Sequence, residues 1–155
     1  MKSRPAESVR RKCPCAQPLL EYRVVAEAPS EAVIELYKAG GWWRESQAWR
    51  EAIPAMIRGS YCFMLALAPD GRAVGMGRVL SDGVSDAYIQ DVVVVPELRG
   101  QGVGSEIIER LTAHCRAQGI GWIGLVAEPG TQPFYEGLGY HALEGYQPML
   151  FAAAK

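Results

Sequence analysis

Between Arg99 and Ser105 the chain reads Arg-Gly-Gln-Gly-Val-Gly-Ser, three glycines alternating with other residues. Glycine accepts positive φ and leaves the backbone bare to a ligand. A helix is expected to begin near Val103–Ser105, so its unpaired N–H groups and positive dipole end face the turn. That is the chemistry of an anion cradle, with a diphosphate as the natural guest. The donors are main-chain N–H groups, so Gln101 and Val103 contribute through geometry more than through side chains. Arg99 is either a charge for a phosphate or a surface residue. A Walker loop is excluded, because no lysine stands between Arg99 and Ser105. A dinucleotide fingerprint needs a third glycine where this chain has Ser105, and belongs to the first unit of a larger sheet.

Two further groups of residues have chemical potential. Asp91 stands in a β-branched run, and the two-residue period puts it on the face of Ile89, Val93 and Val95. A carboxylate among valines has the setting of a general base, or of a structural group bonded to nearby backbone. Asp86, Tyr88 and Gln90 fall on the other face, and a bulge would swap the phase, which keeps Asp86 in reserve. Trp42, Trp43 and Arg44 form an aromatic patch after a Gly-Gly pair. His114 and His141 are isolated and read as exposed or satisfied residues.

The elements that position these groups follow from periodicity and punctuation. Glu21–Ala28 suits a first strand. Ser30 is expected to cap a helix with Val33, Leu36 and Tyr37 on one face, ended by Gly40-Gly41. Ser46 caps a second helix carrying Trp49, Ile53, Met56 and Ile57, which Pro54 interrupts or bends. Tyr61–Ala68 and Arg72–Leu80 form a hairpin across Pro69-Asp70-Gly71. Asp86–Val95 is the central strand, stopped by Pro96. A helix over Ser105–Gln118 buries Ile107, Ile108, Leu111 and Cys115 and ends at Gly119. A strand over Ile120–Ala127, a short helix over Thr131–Leu138 and two closing strands around Tyr140–Leu143 and Tyr146–Ala152 complete the order. The fold class is α/β, a mixed sheet with helices on both faces, and only the crossover from 86–95 to 120–127 is clearly parallel.

The spacing Arg-x-x-Gly-x-Gly at Arg99–Gly104 resembles the acetyl-CoA signature of the GNAT superfamily of N-acyltransferases. Gln132-Pro133-Phe134-Tyr135-Glu136-Gly137-Leu138-Gly139-Tyr140 is similar to the family's Phe-Tyr-x-x-x-Gly-Phe/Tyr segment, in the right order and at a fitting distance. The resemblance spans roughly residues 20–153. It implies the GNAT fold, a mostly antiparallel sheet whose two parallel strands splay so that the thioester arm of CoA enters the gap. It implies acetyl-CoA as co-substrate, held by Arg99, Gly100, Gln101, Gly102, Val103, Gly104 and Ser105. Backbone N–H groups of Val93 and Val95 would hold the pantetheine arm and polarise the thioester. Tyr135 would protonate the departing thiolate, with Asp91 as base. The loop of Trp42 and Trp43 would lie beside the acceptor, one tryptophan in the pocket and the other in the core. The implied reaction is direct attack by a primary amine, with a small molecule as acceptor. A protein amine and a non-catalytic acyl-CoA sensor are the alternatives.

Composition narrows the class. At 155 residues one domain is expected over 19–155, after a flexible tail over 1–18 rich in Lys, Arg, Ser and Pro. A net charge of −1 gives no reason to expect nucleic acid or an anionic membrane as partner. Cys13 and Cys15 lack the further ligands of a zinc set, so no metal is expected, and Cys62 and Cys115 read as small hydrophobes. Reduced thiols suggest a cytoplasmic protein. A homodimer is common for the resembled fold.

Overall fold

The computed structural model of the chain describes residues 19–151. The expected tail and its Cys13/Cys15 pair lie outside the described residues. Within them run β1 (Glu21–Val24), α1 (Ser30–Ala39), α2 (Gln47–Gly59), β2 (Cys62–Leu67), β3 (Ala73–Ser81), β4 (Asp86–Val94), a 3-10 turn (Pro96–Leu98), α3 (Val103–Ala117), β5 (Trp122–Gly124) and α4 (Gln132–Glu136). The five strands pair in chain order, antiparallel through β4, with β5 added parallel to β4.

Alternation along β2 decides the layers. Phe63 and Leu65 point into a core built with Val33, Ile34, Leu36 and Tyr37 of α1 and Ile53 and Ile57 of α2. Cys62, Met64 and Ala66 point the other way, onto Ile107, Ile108, Leu111 and Cys115 of α3. Both cysteines are buried and free, and burial pushes both thiols up, Cys62 to about 11. They behave as small hydrophobes, as their apolar settings suggest.

Helix α3 sits close on β3 because β3 lacks side chains there. A Cβ at Gly77 would stand 2.8 Å from Ile107 Cγ2 and 2.9 Å from Leu111 Cδ1. Residue 77 must be glycine for the helix to lie at this height.

Some element ends differ from expectation for identifiable reasons. Pro29, not Ser30, is the N-cap of α1, and its carbonyl accepts from Ala32 and Val33. Pro54 lies inside α2 without ending it, while Ser46 does cap that helix by accepting from Trp49 N–H. Strand β5 has three residues rather than eight. The two closing strands are not formed among the described residues. A turn does close from Tyr146 N–H to Leu143 C=O at 3.1 Å, but the flanking segments pair with nothing, and Met149, Leu150 and Phe151 are each more than 90% exposed.

Candidate active site

Parallel pairing of β4 with β5 stops early. Asp86, Ala87 and Tyr88 face Trp122, Ile123 and Gly124, and no register continues beyond them. From Gln90 to Val94 the β5-facing edge of β4 is therefore open, which is the splay that the resemblance implied. The open edge leads through Pro96–Leu98 into the glycine turn.

The glycine turn takes the backbone conformation that its spacing suggests. Gly100 has φ +72° and Gly102 φ +84°, conformations that L side chains rarely adopt. Gly102 is the N-cap of α3, and the first backbone bond into the helix runs from Glu106 N–H to Gly102 C=O at 3.0 Å. The N–H groups of Val103, Gly104 and Ser105 are thus the donors a first turn cannot satisfy itself. A cavity of about 290 Å³ opens beside them, lined by Tyr22, Gln101, Gly102, Val103, Glu106 and Arg110 among others. A larger hollow of about 400 Å³ along Ile108, Thr112 and Leu138 lies apart from the glycine turn.

Side chains in the turn are engaged elsewhere. Arg99 donates from Nε to Val94 C=O at 2.9 Å and from Nη2 to Ala39 C=O at 2.8 Å. It ties the end of β4 to the end of α1. Gln101 folds back and donates to Glu97 C=O at 2.9 Å.

A bulge moves the central strand by one residue. Met76 faces Val93 and Arg78 faces Gln90, so Gly77 opposes both Asp91 and Val92. Asp91 takes the strain as the one non-glycine residue of positive φ among those described, at +54°. Val93 then joins the α1/α2 core while Ile89 stays on the α3 face, so Asp91 does not share a face with both. The backbone donors shift too. Val95 N–H is bonded to Val74 C=O at 2.9 Å, and ladder alternation turns Val93 N–H toward β3 as well. The strand N–H aimed at the open edge is that of Val94, which corrects the pair expected at Val93 and Val95.

Asp91 is not isolated among valines. Its Oδ2 accepts from Tyr37 OH at 2.6 Å and from Arg78 Nε at 2.5 Å. Burial first, then Asp91, raises the Tyr37 phenol well above its usual range, so it serves as a permanent donor. Oδ1 has no hydrogen-bond partner among the described residues. The Arg78 and Asp91 side chains are 15% and 24% exposed, so removing the cation strands a poorly solvated carboxylate. Arg78→Leu should cost about 2–4 kcal/mol, read as a lowered urea midpoint at unchanged m-value. A loss below about 0.5 kcal/mol would mean that water already carries the pair.

Tyr135 lies in α4, packed edge-on against Phe134 (4.9 Å between centroids) and Tyr140 (6.2 Å). A Cβ at Gly104 would meet Phe134 Cζ at 3.5 Å, so α4 sits against the start of α3. The Tyr135 hydroxyl has no partner among the described residues. Burial foremost, then Glu128 and Tyr140, raises its pKa.

The tryptophans divide. Trp42 meets Tyr37 edge-on at 6.3 Å and donates from Nε1 to Glu128 Oε1 at 2.9 Å. Trp43 donates to Glu45 at 3.0 Å and lies under Arg50 and beside Trp49. Trp42 therefore faces the segment that leads from β5 into α4, while Trp43 is fixed against α2. Tyr37, Arg78 and Glu128 have no motif of their own, and contacts over 54, 13 and 86 residues bring them into the site. Among the described residues no cluster of His, Cys, Asp and Glu is arranged to hold a metal, and no helix is long and apolar enough to cross a membrane.

The chain is similar to known proteins. Residues 29–148 match the family model described as an acetyltransferase (GNAT) domain. A rice protein named Serotonin N-acetyltransferase 2, chloroplastic, is 44% identical over 70 residues, 45% of this chain and 35% of its own length. The soybean Histone acetyltransferase TAP1 is 41% identical over 71 residues, 46% of this chain and 31% of its own. The chain thus spans about a third of the length of these relatives. In three dimensions it is similar to the GNAT family protein SP0256 from Streptococcus pneumoniae TIGR4, with a TM-score of 0.74 at 24% identity, over 88% of this chain and all of that one. The cytoplasmic expectation is overturned here. The rice relative and two from Arabidopsis thaliana, GCN5-related N-acetyltransferases 1 and 2, are named as chloroplastic, and reduced thiols do not distinguish the compartments. A glycine turn heading α3, an open edge on β4, a tyrosine on α4 and the family match lead to one conclusion: the chain belongs to the GNAT acetyltransferase family.

Proposed function

We propose that this protein transfers the acetyl group of acetyl-CoA to the primary amine of a small acceptor, by direct attack within a ternary complex. The open edge of β4, running from the bulge at Asp91 toward the glycine turn, is the observation that carries this reading. An extended thioester arm can pair with that edge while its diphosphate meets the N–H groups of residues 103–105. Val94 N–H then supports the oxyanion, a contribution of about 2.7–4 kcal/mol for one such donor. The attacking amine loses its proton to a water ordered on Asp91 Oδ1. Tyr135 protonates the thiolate as it leaves.

The names of the relatives divide between a small amine and a histone. The α1–α2 loop favours the small amine. Glu45 is held near 2, first by its hydrogen bond from Arg50 and then by that from Trp43. Glu45 therefore stays ionised but is bonded to Arg50 and Trp43, which leaves no dense lining of free carboxylates in that loop for a polycation. Trp42 supplies an aromatic wall. The chloroplast in three relatives' names supports a plastid setting.

The test is thiol release from acetyl-CoA across an amine panel. Arylalkylamines should outperform spermidine and lysine-rich peptides. Trp42→Ala should raise the acceptor KM about tenfold, or about 1.4 kcal/mol, with the KM of acetyl-CoA little moved. A panel led by spermidine or lysine-rich peptides would replace the small acceptor with a polycation. No turnover with any amine, despite CoA binding, would make the protein an acyl-CoA sensor.

A further inference from the structure

Of the carboxylates beside Trp42, Trp43 and the bulge of β4, Asp91 is paired with Arg78 and Glu45 with Arg50, although Arg50 serves Glu31 as well as Glu45. Glu128 is different. Among the described residues no cation lies within ion-pair distance of it. Its side chain is nevertheless held in place, because Oε1 accepts from Trp42 Nε1 at 2.9 Å across 86 residues of sequence. Its main chain is held too, since the Glu128 carbonyl accepts from Thr131 N–H at 3.0 Å and Thr131 Oγ1 at 2.8 Å. Thr131 is the N-cap of α4, the helix of Tyr135. Glu128 also lies close enough to Tyr135 for its charge to act on that phenol.

One residue therefore bridges the loop that supplies the aromatic wall and the helix that supplies the proposed acid. Positioning a carboxylate costs side-chain entropy, and here a neutral indole donor bears that restraint and leaves the negative charge uncompensated. An indole N–H satisfies one lone pair of one oxygen, and the remaining acceptor capacity is open. A primary ammonium provides the complement, with three donors and a full positive charge.

We propose that Glu128 is the anchor for the acceptor's ammonium group, pre-positioned by Trp42. This rests on the reading that the acceptor is a primary amine. The anchor selects amines that arrive protonated, with an apolar or aromatic portion lying along Trp42; the same nitrogen then gives one proton to the water on Asp91 before its lone pair attacks the thioester. Asp91 is already held by Arg78 and Tyr37, and both oxygens of Glu45 already accept from Arg50 or Trp43.

Glu128→Gln separates charge from tether, because a glutamine carbonyl still accepts from Trp42 Nε1. In the variant the KM of tryptamine should rise about tenfold, the scale of one lost charge-assisted contact. CoA affinity by calorimetry should stay unchanged, which also verifies folding. The KM of an arylamine that is uncharged at neutral pH should rise far less. Trp42→Phe, which keeps the charge and an aromatic ring but drops the N–H, should fall between wild type and Glu128→Gln for tryptamine. A tryptamine KM unchanged in Glu128→Gln, or an equal rise for charged and uncharged amines, would overturn the anchor. Should wild type turn over no amine, the transfer reaction fails by itself. Calorimetric titration of tryptamine into CoA-loaded protein then decides the anchor. Binding weakened about tenfold in Glu128→Gln upholds it, and equal binding, or none to wild type, overturns it.

Discussion

Gly102→Val is expected to abolish CoA binding in a protein that still folds. Residue 102 has φ +84° at the N-cap of α3, where a β-branched side chain costs of the order of 1–3 kcal/mol. That is a fraction of the roughly 5–15 kcal/mol that holds a domain together. The damage to the ligand is larger. Relief of the strain rotates the N–H groups at the head of the helix, and the new Cβ stands where the diphosphate approaches. Calorimetry should show CoA affinity lowered by about a hundredfold or more, equivalent to about 2.7 kcal/mol, with far-ultraviolet circular dichroism retained. A folded Gly102→Val protein that binds CoA as wild type does would dismiss the cradle.

Tyr135→Phe carries the second large effect. The phenol is held above its ordinary value by burial and by Glu128, so it stays protonated across pH 6–9 and is available as a donor throughout. The transfer is uphill, from a phenol of pKa above ~10 to a thiolate near ~8.5, and general acid assistance is worth about 10²–10⁴ in rate. We expect the lower end, a kcat reduced about a hundredfold, with the KM of acetyl-CoA little changed. The deficit should narrow as pH rises past the thiol's own pKa, where the thiolate departs unassisted. A mutant that tracks wild type across this range, with chemistry rate-limiting, would remove Tyr135 from the proton path and leave it as packing for Phe134 and Tyr140.

What could be read from the residues was local. The alternation of Gly100, Gly102 and Gly104 before an apolar-periodic helix is a short-range signal, and two of the three glycines do take positive φ. The hairpin at Pro69–Gly71 and the stop at Gly119 are local in the same way. The bulge at Asp91 is not, because it depends on how Gly77 and its neighbours in β3 meet the ladder. That single extra residue moved the open-edge donor from the Val93 and Val95 pair to Val94. The ties made by Arg99 and Glu128 were overlooked for a related reason. Their partners, Ala39 and Trp42, are 60 and 86 residues away, and no pattern in one sequence links them. The closing strands failed in the opposite sense, since residues 140–151 have the composition of strands but no partner in this sheet.

The absence of a side chain at residue 77 has a consequence for the history of the chain. With Ile107 and Leu111 already seated over it, an alanine there would lift α3 off the sheet, and the head of that helix is the proposed anion cradle. Overpacking of this kind typically costs about 1–3 kcal/mol. The same alanine arriving after Ile107 and Leu111 had both shortened would meet only Val92 Cγ2, at 3.3 Å. Substitutions here are therefore ordered in time, with the helix giving way before the strand can gain. A methyl group beneath α3 thus governs which paths of descent keep the glycine turn in place.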